Sequence, residues 1–216
     1  MSKPLNETGY RLGLTAFGFA VAYDVAQILQ IAGLLVFPLD EILIYATSLG
    51  IVVPFVLEIL AFHHLTARDK QFWSHGALIF AVIYAVFVTA NYVVQLATVV
   101  PAKIRGESPG LLEQTPHSLF WDYDAIGYIS MGIAMLLALP ALSRVGVERW
   151  ARWALLANGC VTPLISIVYF YPVYSTRLLW IGFPWAVTAP LAMLMLAKAI
   201  RRRPVGPVAG DRLGAA

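Results

Sequence analysis

The run FWSHGALIFAVIYAVFVTANYVVQLATVV, residues 72–100, contains no lysine, arginine, aspartate or glutamate. An α-helix crosses the bilayer core in about 20 apolar residues, so this run is long enough to span, and to tilt or project beyond it. Five further apolar windows flank it: Gly13–Phe37, Ile42–Phe62, Ala125–Leu142, Trp153–Pro172 and Leu178–Ile200. The expectation is an all-α fold, a polytopic transmembrane bundle of six helices. It comprises a single membrane domain over residues 1–200 and a disordered cytoplasmic tail over 201–216, where the chain turns Gly- and Pro-rich.

Composition agrees. The chain is 60% hydrophobic and only 12% charged, with a mean hydropathy of +0.75; a soluble domain carries about 25% charge. The surplus apolar surface calls for the lipid bilayer as its partner. A net charge of only +3 gives no reason to expect a nucleic-acid partner. The lone Cys160 excludes an intrachain disulfide or a thiolate metal site, and reads as a small buried apolar residue. No small-residue cleavage site follows a short apolar stretch near the N-terminus, so the first run reads as a retained span.

Lysine and arginine set the expected orientation. Twelve of the fifteen fall on one side: Lys3, Arg11, Arg68, Lys70, Arg144, Arg149, Arg152, Lys198, Arg201, Arg202, Arg203 and Arg212. Lys103, Arg105 and Arg177 fall on the other. Cations concentrate in cytoplasmic loops, which predicts both termini inside. Tyr10, Trp121, Trp150, Trp153, Tyr171, Tyr174 and Trp180 stand near span ends, as an interfacial aromatic belt does. Trp185, beside Pro184 within the sixth span, is a candidate pocket wall.

Ionisable groups inside a span are costly and turn away from lipid. Asp24, eleven residues into the first window, reads as a mid-membrane acid, with Tyr23, Gln27 and Gln30 in the same broad helical sector. Asn91 and Gln95 share a face of the third span, and the fourth opens on Asp122 and Asp124 with Tyr128 a turn below. All these point toward the extracytoplasmic half. Under the long link from Pro101 to Tyr123, with Glu113 and His117, they predict a polar pocket opening outward with Asp24 as its floor. The competing readings are plain: amides tie helices together in lipid, and Asp122 and Asp124 complement a helix N-terminus. Glu58 is the second intramembrane acid, placed to reach the cytoplasmic rim, four residues after Pro54. His63, His64 and His75 sit at that rim; adjacent histidines diverge by about 100° on a helix, so no metal site is expected.

Phosphate-cradling glycine motifs and the H-E-x-x-H signature are missing, and no cofactor is implied. Gly182, Pro184 and Pro190 predict a kinked sixth span.

The run Asn91-Tyr-Val-Val-Gln95, then Pro101, Thr115-Pro-His-Ser-Leu-Phe-Trp121, Asp124-Ala-Ile-Gly-Tyr128 and Met131 resembles a group of bacterial six-span membrane proteins without assigned function. Phe183-Pro-Trp185 and Thr188-Ala-Pro190 are similar to that group as well. The resemblance implies a bacterial inner-membrane location and no activity.

Three functions fit this pattern. The first is binding or carriage of a small molecule, proton-linked, by Asp24, Gln27, Gln30, Asn91, Gln95, Asp124 and Tyr128. Six spans without an internal repeat are few for a carrier, and a homodimer would compensate. The second is an enzyme acting on a lipid-soluble, isoprenoid-like substrate as a cyclase or isomerase. Asp24 or Glu58 would be its acid, and Tyr23, Tyr92, Tyr128, Tyr169 and Trp185 its walls. The third is a structural or assembly subunit.

Overall fold

The computed structural model describes residues 4–204, all of whose regular elements are helical. Six helices are long and apolar enough to cross a membrane. We label them α1 (Leu5–Ile31), α2 (Leu39–His64), α3 (Gln71–Val94), α4 (Leu119–Ala138), α5 (Gly146–Phe170) and α6 (Trp185–Arg201). Each packs on its neighbours in sequence, and α6 returns to α1, so the six form a closed ring. Even-numbered crossings bring both termini to one end.

Because lipid is as apolar as leucine, helices in a bilayer associate through close packing at small residues. Gly9 and Gly13, four apart, let α1 settle between α2 and α6. A methyl group on Gly9 would meet Ala61 and Ile200, and one on Gly13 would collide with Glu58 and Ala197. Gly127 admits Val88 at the α3–α4 contact, while Gly132 and Gly159 admit Thr162 and Leu136 at α4–α5. Large apolar side chains cover the outside instead, among them Ile28, Val53, Val86 and Val187. Polar residues close the end that holds the termini. Asn6 donates to the carbonyls of Arg201 and Arg203, both at 3.2 Å. Buried Arg203 donates to Glu148 (2.7 Å), Thr66 (2.8 Å) and the Ala141 carbonyl (2.8 Å), and lies over the Phe62 ring. Three chain segments are thereby held by one guanidinium fork.

Several expectations shift. The first crossing begins before and ends earlier than its apolar window, because Gly33 (φ +70°) stops α1 in the left-handed conformation. Asp24 is consequently not central: it stands roughly 28 Å from Leu5 and roughly 10 Å from Ile31 along the axis. The third crossing runs on through a π-helical turn (Gln95–Val99) and Pro101 to Ile104. A regular turn would drive the proline ring against the carbonyl four residues back, and the widened turn relieves this. The sixth crossing is broken at Phe183–Pro184, between a short helix Thr176–Gly182 and α6. Cys160 is exposed on the outside of α5 rather than buried. Arg201, Arg202 and Arg203 belong to the folded part, and positions 205–216 of the expected tail lie outside the described residues.

Candidate functional site

At the end of the ring opposite the termini, Ser118 caps α4 by accepting from the Trp121 N–H (3.3 Å). Asp122 then falls in the exposed first turn, as an acid complementing the helix dipole does. Asp124, two residues on, turns inward and is 6% exposed. Tyr128, one turn further, shares its face.

Both oxygens of Asp124 are occupied. Tyr92 of α3 donates to Oδ1 at 2.8 Å, and Tyr169 of α5 donates to Oδ2 at 2.5 Å. The Tyr92 oxygen is 3.2 Å from that of Tyr128, which is 2.9 Å from that of Tyr23 on α1. Gln27, one turn along α1, donates its amide to Tyr23 at 2.7 Å. A phenol has one proton to give. With the Tyr92 proton spent on Asp124, Tyr128 must donate to Tyr92, and Tyr23 must then donate to Tyr128. The chain therefore has a fixed direction, Gln27 to Tyr23 to Tyr128 to Tyr92 to Asp124. A proton placed on Asp124 would let the carboxyl donate to Tyr92 and the phenols behind it turn round, once the Gln27 amide rotates to present its oxygen to the Tyr23 hydroxyl. The carboxyl itself is thus partnered in either state.

Aromatic rings enclose this chain. Trp185 meets Tyr128 and Tyr23 edge-on, with centroids 4.7 and 5.9 Å apart, and Tyr45 stacks on Tyr92 at 5.5 Å. Asn91, next to Tyr92 on α3, is buried and donates to the Phe120 carbonyl at 3.2 Å. Of the expected ligand-binding set, then, Asp124, Tyr128, Gln27 and Asn91 come together.

The others do not join them. Gln30 donates to Asp40 (2.8 Å), and Gln95 donates to the Leu112 carbonyl (2.7 Å), tying the long link to α3. Asp24 bonds neither Asn91 nor Gln95, and its Oδ1 is buried without a partner; α1 packs between α2 and α6, with α3 on the far side of α2. Glu58, expected to reach the cytoplasmic rim, is 0% exposed in the half of the ring nearer the termini. In the link, Glu113 accepts from Ser108 (2.9 Å), His117 holds a left-handed backbone (φ 60°), and Gln114 accepts from Tyr45 (2.6 Å). An open surface pocket lined by His63, Gln71, Trp73 and His75 lies at the opposite end.

Three features escaped the sequence reading. Buried Asn158 accepts from Thr188 (3.0 Å) and faces the Met135 sulfur (2.9 Å); an amide inside an apolar run was its signal. Gly9 and Gly13 carried the G-x-x-x-G spacing of helix contacts in lipid. The clasp by Arg203 had no local signal.

Fold and site define a polytopic helical ring built round a buried carboxyl–phenol chain. No family model, curated protein or solved structure matches the sequence.

Proposed function

We propose that this multi-pass membrane protein binds or carries a small molecule in step with protonation at Asp124. The observation that carries the reading is the directed chain ending on Asp124, whose members come from α1, α3 and α4, with Tyr169 of α5 on the second carboxyl oxygen. A carboxyl that is fully partnered whether ionised or neutral is suited to gain and lose a proton without unfolding its surroundings. Buried acids in membrane helices are typical of proton relays. Because reversing the chain moves hydroxyls on α1, α3 and α4, protonation is felt across the ring. We place both termini in the cytoplasm and the protein in a bacterial inner membrane, the first from the distribution of cations, the second from the sequence resemblance.

The test is a thermal-shift screen of the purified protein against lipids and metabolites at acidic and alkaline pH. A ligand should stabilise the wild type in a pH-dependent manner, and Asp124→Asn should flatten that dependence while leaving the fold intact. A ligand bound with the same pH profile by both proteins refutes the role of Asp124.

One observation favours a second reading. All five wall residues of the enzyme hypothesis, Tyr23, Tyr92, Tyr128, Tyr169 and Trp185, gather near Asp124 rather than round Asp24 or Glu58. A cyclase or isomerase built here would use Asp124 as its acid. Both carboxyl oxygens are taken by phenols, however, so binding or carriage is the better fit. Conversion of an isoprenoid by membranes holding the wild type, lost with Asp124→Asn, would reverse that preference.

A further inference from the structure

Glu58 is fully buried, and among the described residues neither of its carboxyl oxygens has a hydrogen-bond partner. It lies six residues before the end of α2, roughly 9 Å from the helix terminus. The space its carboxyl fills exists because position 13 is glycine: a Cβ there would collide with the carboxyl and with Ala197 of α6. One turn nearer the end, Gly9, Ala61 and Ile200 close the same three-helix seam. The cradle is therefore hydrocarbon on every side that the packing defines.

No charged group reaches the carboxyl from the surrounding helices. Arg11 on α1 and Lys198 and Arg201 on α6 are exposed. On α2, His63 is turned to Ser74 of α3 at 2.9 Å, and on α3 Tyr84 packs edge-on against Phe55. An ionised carboxylate without donor or counter-ion in such a place costs several kcal/mol. Hard cations take about six or more oxygen ligands, and among the described residues Glu58 belongs to no group of three or more acidic, histidine or cysteine side chains.

We propose that Glu58 is a one-proton binding site: a carboxylic acid held in a dry seam between α1, α2 and α6, which exchanges its proton when those helices part. It stands apart from the Asp124 chain in the ring and does not depend on the function proposed for that chain.

A hydrophobic carbodiimide tests this directly, because it partitions into the membrane and reacts with protonated carboxyls. The acid proton goes to one carbodiimide nitrogen while the carboxyl oxygen bonds the central carbon. The O-acylisourea so formed rearranges to an N-acylurea that retains every atom of the reagent. Wild-type protein in native membranes, treated with dicyclohexylcarbodiimide and mapped by peptide mass spectrometry, should carry the adduct on Glu58. Raising the pH through the titration of the site should slow labelling by about tenfold per unit, and sodium should give no protection. A Glu58 left unmodified, while the denatured protein is labelled, overturns the proposal. Protection by sodium overturns it equally, in favour of a metal-cation site. Neither arm requires a variant to fold.

Discussion

Among the acids, partners rather than depth separate the roles. Asp124 accepts from two phenols, Asp24 keeps one buried oxygen unpartnered, and Glu58 keeps two. Leaving a buried carboxyl short of one donor costs about 1–3 kcal/mol. Tyr92→Phe and Tyr169→Phe should therefore each lower stability by about that amount, since the ring stays and only the hydroxyl goes. In a chain of this size, 1 kcal/mol shifts Tm by about 2–4 °C. Thermal unfolding in detergent measures the loss, with Tyr174→Phe, at an exposed position, as the near-neutral control. Equal Tm values for all three would show that the phenols contribute nothing to holding Asp124.

Along the elements, the apolar windows foretold six crossings, but their ends depended on details hydropathy does not register. Gly33 ends α1, a π-helical turn carries α3 past Pro101, and Pro184 starts α6 afresh. The moved ends of α1 are what took Asp24 away from the centre. The same helix shows why small residues mattered more than mean hydropathy. Gly13→Ala puts a methyl into the Glu58 carboxyl and Ala197, and overpacking of this kind costs about 1–3 kcal/mol. Gly18, with open space around it, should instead gain up to about 1 kcal/mol as alanine through helix propensity. Melting curves of the two variants should move in opposite directions, and a harmless Gly13→Ala would mean that the α1–α2–α6 seam is looser than its geometry.

For the whole molecule, the closed ring places the first and last described residues at one end, and Asn6, Glu148 and Arg203 fasten them. Which side of the membrane that end faces is the proposal that labelling decides. With Cys160 replaced by alanine, a cysteine in the segment Glu107–Glu113 should react with an impermeant thiol reagent on intact cells. A cysteine at Arg144 should react only after permeabilisation. The reverse pattern would turn the Asp124 chain toward the cytoplasm and the Glu58 seam outward, leaving the geometry of both intact.

Span number, lipid-facing character and the shortage of charge were legible in the sequence because each is a sum over neighbouring residues, and insertion into lipid responds to that sum. The chemistry-bearing residue types were legible too: Asp24 and Glu58 stood out as acids within apolar runs, Asp124 as an acid at the start of one, and the five aromatics as candidate walls. Their partnership was not. Tyr23, Tyr92 and Tyr169 reach the Asp124 chain across 105, 36 and 45 positions at the bonds they make, so the end of α4 looked from its own neighbours like a simple helix N-terminus. Glu58 looked able to reach water, and lost it only when Gly13 and Ala197 closed over it. A residue type is chosen locally, but its partners, and with them its proton, are decided by which helix faces the ring turns inward.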